Sequence, residues 1–113
     1  MAVTVSGSPE AGGMSARVAL TASAGDAQAV TLPEWVRKCT LQFVDSGDNA
    51  AAGRFLRGVS QVDGAAISSA AFPVSAGAAY ELTIAPFRAR VTGGATIYLS
   101  GSAGGYCYLD LEL

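Results

Sequence analysis

The sequence predicts an all-β chain folded as a single antiparallel β-sandwich, jelly-roll-like, with an immunoglobulin-like sandwich as the alternative. Three observations predict it. Apolar and polar residues alternate with a period of two in one short segment after another. Turn signals built from Gly, Pro, Asp and Ser separate those segments at intervals of roughly eight to twelve residues, which points to about eight to ten short strands. No stretch carries the i, i+3, i+4, i+7 spacing of an amphipathic helix. At 113 residues the chain is read as one domain, residues 1–113, able to bury roughly two-thirds of its unfolded surface.

The strand that organises the rest runs over residues 35–44. Cys39, Leu41 and Phe43 share one face of it, and Lys38, Thr40 and Gln42 share the other. Leu32-Pro33 ahead of it suits a strand entry, because proline gives up its N–H and holds its neighbour extended. Asp45-Ser46-Gly47-Asp48-Asn49 behind it is a turn cluster.

Taken in order, residues 2–6 alternate weakly, as an edge strand or an arm would. Residues 1–15 together read as a flexible N-terminal arm, with 7–13 a loop by composition. Residues 17–21 form a strand with Val18 and Leu20 inward, and residues 28–32 one with Val30 and Leu32 inward. Residues 53–59 are a strand of open phase. Asp63-Gly64 is a hairpin signal before residues 65–69. Phe72-Pro73-Val74 is a short extended piece, Ser75-Ala76-Gly77 a turn, and residues 80–84 a cleanly alternating strand. Residues 87–91 place Arg88 and Arg90 outward. Gly93-Gly94 is the best hairpin turn in the chain, since it accepts the positive φ of primed turns. Residues 95–100 then pair back, and a second glycine loop at 101–105 precedes the final strand, 106–113.

Composition narrows the function. Only 14% of residues are charged, below the ~25% usual for soluble domains, as on surfaces that end against a partner. Seven Lys and Arg against nine Asp and Glu, with no basic stripe, argue against nucleic acid and against an anionic membrane surface. There is no His, which removes the commonest general base and metal ligand together. No apolar run approaches the ~20 residues of a membrane span, and residues 1–5 lack the basic and apolar regions of a secretory signal. The expectation is a protein made in a cytoplasm. Cys39 and Cys107 both fall in phase with core residues and are expected as free, buried thiols.

No catalytic motif emerges, and neither a cofactor nor a metal is expected. The Asp45–Asn49 cluster offers oxygen ligands of the type Ca²⁺ prefers, but without EF-hand spacing, so it reads as a loop. The acids sit in turns or on outward faces and not in the paired arrangement of a glycosidase. Ser and Cys lack a His base, and the Gly pairs open no helix that would cradle phosphate. Trp35 reads as core. Tyr98, Tyr106 and Tyr108 point outward. If strands joined by tight turns pair, they share one sheet face with Arg88 and Arg90. Those five residues are the expected partner interface, because tyrosine and arginine are enriched in protein contacts. A carbohydrate platform is the alternative use of the same tyrosines.

Residues 30–43 (VTLPEWVRKCTLQF), residues 72–82 (FPVSAGAAYEL) and residues 95–101 (ATIYLSG) leading into the closing strand together resemble small all-β virion proteins of tailed bacteriophages, of the head decoration or cement type. The likeness covers the chain from Val30 onward and is one of pattern. It implies a jelly-roll-like domain that forms a homo-oligomer, a dimer or trimer, and binds the major capsid protein on the outer surface of the head. Such families carry no catalytic residues to transfer. The competing expectations are a carbohydrate- or host-binding module of a tail fibre and a neck or tail-completion protein.

Overall fold

Short segments that alternate apolar and polar have one face to hide, and here they hide it against one another in two facing sheets. The computed structural model describes residues 2–20, 28–57, 72–84 and 95–113. Among them are nine strands and no helix: β1 (Ala2–Thr4), β2 (Gly13–Ala19), β3 (Gln28–Thr31), β4 (Lys38–Val44), β5 (Gly53–Arg57), β6 (Phe72–Val74), β7 (Tyr80–Thr83), β8 (Thr96–Gly101) and β9 (Tyr106–Glu112). They make a five-stranded sheet in the order β1-β3-β8-β5-β6 and a four-stranded sheet in the order β2-β9-β4-β7.

The pairing scheme identifies the architecture. β2 pairs with β9, β3 with β8, β4 with β7 and β5 with β6, all antiparallel. The chain from β2 to β9 is thus one long hairpin folded at β5–β6. Its ribbon is rolled up so that β4 also meets β9 and β5 also meets β8. That rolled hairpin is a jelly roll, the first of the two sandwiches expected. The exception to antiparallel order is β1, which runs parallel to β3 at the edge of the five-stranded sheet.

The core lies between the sheets and follows the expected phase. Val18 and Leu20, Val30 and Leu32, Cys39, Leu41 and Phe43, and Cys107, Leu109 and Leu111 are all buried in one cluster. Gly53 shows how closely the layers meet, since a β-carbon there would fall on the Phe43 ring. Among the described residues, Gln28 and Ser100 are the buried polar ones, and Gln28 is the more deeply placed. The Gln28 side-chain amide donates to the Ala19 carbonyl at 2.8 Å, and its Oε1 has no hydrogen-bond partner among the described residues.

Two expected elements are corrected. Residues 2–15, expected as part of a flexible arm, are held by strand pairing at both ends. Val5 N–H donates to the Thr31 carbonyl at 2.9 Å, continuing the β1–β3 pairing, Val3 and Val5 pack on the core, and β2 already begins at Gly13. Their alternating valines have apolar surface to bury, and the open edge of β3 receives them. The central strand does not start at Trp35 either. Val36 N–H turns back onto the Pro33 carbonyl at 3.2 Å, and β4 begins at Lys38. The chain must cross here from one sheet to the other, so Glu34 and Trp35 form a turn. Trp35 still packs against the core, while its Nε1 donates to the Gly7 carbonyl at 2.9 Å.

Candidate functional site

The outward face of the four-stranded sheet carries the most developed set of functional groups among the described residues. Because β-strands show alternate residues on alternate faces, the register of β2, β9, β4 and β7 dictates which side chains stand in one row. Lys38 lies opposite Glu112 and Thr83, and Thr40 opposite Asp110 and Glu81. Ser15 completes the Asp110 row from the other side. The next row reads Arg17, Tyr108, Gln42. Tyr106 stands between Ala19 and Val44 in the last row.

Charge on this face is mostly internally matched. Lys38 reaches Glu81 at 3.8 Å and Glu112 at 4.0 Å, an exposed arrangement worth little in stability but fixing where the ammonium sits. The Arg17 guanidinium lies 4.1 Å from the centre of the Tyr106 ring, a cation–π contact. Tyr108 donates its hydroxyl to Asp48 Oδ1 at 2.6 Å. Asp110 has no ion-pair partner among the described residues.

Two depressions mark the face. One of about 170 Å³ is lined by Thr40, Gln42, Tyr108 and Asp110, among others. A broader one of about 510 Å³ lies over Gly13, Ser15, Asp110 and Glu112. Small side chains on β2 leave that second hollow.

The Asp45–Asn49 cluster is a self-capped loop. Asp45 Oδ1 accepts from Gly47 N–H at 2.9 Å and Asn49 N–H at 3.0 Å. Asp48 takes a positive φ of 65°, and its carboxylate is engaged by Tyr108. Both acids serve the loop and its tether to β9.

The expected interface is divided. Tyr106 and Tyr108 stand together, half-exposed, on β9. Tyr98 is outward but belongs to β8 in the other sheet, so it faces away from them. The expectation that these tyrosines share one face is therefore corrected. The tight loop between β8 and β9 does not pair them, because β8 is already flanked by β3 and β5, and β9 by β2 and β4. Arg88 and Arg90, like the Gly93-Gly94 and Asp63-Gly64 turns and residues 65–69, lie outside the described residues. The sequence reading missed Arg17 and Gln42, which flank Tyr108. Their outward phase was readable; their neighbours were not.

A second group joins the two sheets at the opposite edge. Phe55, Phe72 and Tyr80 form an aromatic triangle with ring centres 4.9–5.2 Å apart. Phe72 remains 51% exposed there.

The two thiols are buried. Cys39 pairs with Leu111 and Cys107 with Phe43, so four residues of strand, roughly 13 Å, separate their positions. A disulfide needs α-carbons within about 7 Å. Burial pushes the Cys39 thiol up to about 12, with the Asp110 charge adding to it. Burial raises Cys107 as well, reinforced by Cys39. Both are neutral, unreactive core groups at physiological pH.

No family model, curated protein or solved structure matches this chain.

Proposed function

We infer that this protein is a non-enzymatic structural component of a virion that binds and stabilises the major capsid lattice on the outside of the head. The observation that carries the reading is the outward face of β2-β9-β4-β7, where Arg17, Tyr106, Tyr108 and Gln42 stand together among matched charges. Arginine and tyrosine on an otherwise lightly charged surface are the composition of a protein contact. The phage-like sequence pattern supports the same reading. So does the jelly roll, an architecture that viral capsid domains and lectins share, although a fold alone assigns no function. A cement protein works by burying surface across capsomer joints. Standard contacts of about 1,600 Å², repeated over a shell, then resist expansion without any single strong site. Needing only surface, such a role requires no cofactor.

The test is to locate the protein in purified virions by mass spectrometry and cryo-EM, and to measure binding of the isolated chain to undecorated heads. The expected result is density on the outer capsid surface and binding that falls when Tyr106 and Tyr108 are both changed to Ala. Absence from purified heads overturns the reading.

A second reading rests on the 170 Å³ depression, in which the Tyr108 ring stands beside Gln42 and Asp110, groups that suit sugar hydroxyls. Glycan-array binding by the isolated chain, together with absence from heads, would favour a host-binding module of a tail fibre.

A further inference from the structure

Sheet edges are where β proteins meet, because an edge strand presents unpaired N–H and C=O groups. Among the described residues the sheets have four edge strands, and these differ greatly. β1 and β6 are three residues each, and β6 carries Pro73, while β7 has four residues. β2 has seven residues, no proline and a single charge.

The hydrogen-bond phase of β2 is set by its two ends. Leu113 N–H donates to the Gly12 carbonyl at 3.1 Å, and Leu20 N–H to the Gly105 carbonyl at 2.9 Å. Antiparallel partners alternate between bonded and non-bonded pairs. Met14, Ala16 and Val18 therefore turn their backbone groups toward β9, and Gly13, Ser15, Arg17 and Ala19 turn theirs to the open side.

We propose that a second copy of this chain pairs antiparallel with β2 across a twofold axis at Ala16, joining two four-stranded sheets into one of eight strands. In that register Ser15 meets Arg17 of the second copy, and Gly13 meets its Ala19. Those are the residues with outward donors and acceptors, about eight hydrogen bonds in all at one donor and one acceptor each. Ala16 meets Ala16 at the axis, and Met14 meets Val18. Met14 and Ala16 are partly buried residues packed against the core at this edge.

The side chains on the outer face also match. Asp110 stands opposite Ser15 on β9. The row across the axis thus reads Asp110, Ser15, then Arg17 of the second copy, with the charges two strand spacings, roughly 10 Å, apart. Ser15 between them is small, and the hollow of about 510 Å³ above Gly13 and Ser15 is walled by Asp110 and Glu112. The arginine of the second copy, swung off the Tyr106 ring on which it rests in the single chain, reaches over Ser15 into that acid-walled hollow, and the symmetry repeats the contact. This pairing is independent of any binding to a capsid.

The experiment is sedimentation equilibrium on the isolated full chain, with circular dichroism to verify folding. The wild type is expected as a dimer. Arg17→Glu replaces an attraction by a repulsion in the row and weakens the dimer by about tenfold or more. Combining it with Asp110→Lys restores the dimer. Ser15→Pro removes an outward N–H without touching the β2–β9 ladder, and should also give folded monomer. A monomeric wild type at the highest soluble concentration overturns the proposal. So does a dimer unchanged by Arg17→Glu and Ser15→Pro, or a charge swap that fails to restore association.

Discussion

Tyr108 and Asp48 are joined by a 2.6 Å hydrogen bond that ties the outward face of β9 to the loop leaving β4. The donor is a strand residue whose ring walls a surface depression, and the acceptor sits in a loop at a positive φ of 65°. One bond thus positions a ring of the candidate interface and holds a strained loop residue.

Tyr108→Phe keeps the ring and removes the bond. It should cost about 0.5–1.5 kcal/mol in urea unfolding, the usual net worth of a hydrogen bond. Amide exchange in the 45–49 loop should rise with it. Unchanged stability together with unchanged exchange would mean that the bond does not hold the loop.

The thiols predict an alkaline limit to stability. Below pH 9.0, the ordinary value, Cys39 is protonated in both folded and unfolded chains and contributes no pH dependence. Between there and about 12 the unfolded chain loses its proton while the folded chain keeps it. Stability then falls as pH rises, by about 1.4 kcal/mol per pH unit for each such thiol. Cys39→Ala should flatten that alkaline slope while lowering stability at neutral pH. Denaturant midpoints at pH 7 to 11 measure both effects. Thiol titration of the native protein should be slow and should accelerate on unfolding, and an intact mass showing a Cys39–Cys107 bridge would contradict the register.

Gly53 and Gly77 each resist substitution, for different reasons. Gly53 has no room, since a β-carbon would fall on the Phe43 ring, so Gly53→Ala should cost about 1–3 kcal/mol by overpacking. Gly77 has open space but a φ of 81°, in a turn closed by Ala78 N–H on the Ser75 carbonyl at 3.0 Å. Gly77→Ala should cost about 1 kcal/mol from backbone strain, and Gly77→Asn less. Thermal unfolding of the three variants gives the ranking.

Trp35→Phe tests how the N-terminal segment is held. It leaves an apolar ring against the core but loses the 2.9 Å bond to the Gly7 carbonyl. Stability should drop by about 0.5–1.5 kcal/mol. Hydrogen exchange should quicken at Val5, whose amide joins this segment to Thr31. Unaltered exchange there would show that β1 is held by strand pairing and the packing of its valines alone.

Much of the fold was readable along the chain. The alternation in residues 39–43 and 107–111 assigned each inward side chain correctly, and the turns at residues 45–49 and 75–77 marked where β4 and β6 stop. The candidate site was less readable. Tyr106 and Tyr108 share a face because they are two residues apart on one strand, a local fact. Tyr98 was grouped with them on the premise that strands joined by a short loop pair, and in a jelly roll that loop arches between sheets instead. The strand expected over residues 35–44 begins only at Lys38, because the chain turns at Glu34 and Trp35 to pass from β3 in one layer to β4 in the other.

The sequence by itself determined the class of structure and the inside and outside of each strand. A side-chain period of two is a property of the extended backbone, and burying apolar surface selects one face of it. Tertiary structure alone decided which sheet each strand joined, and so which outward residues became neighbours. Strand pairing is made by backbone groups that every residue carries alike, so the pattern along one strand does not name its partner. The long hairpin itself, by pairing β2 with β9 and β4 with β7, brings Arg17 to Tyr106 and Lys38 to Glu81, and its rolling, which sets β9 beside β4, brings Tyr108 to Asp48 and Lys38 to Glu112.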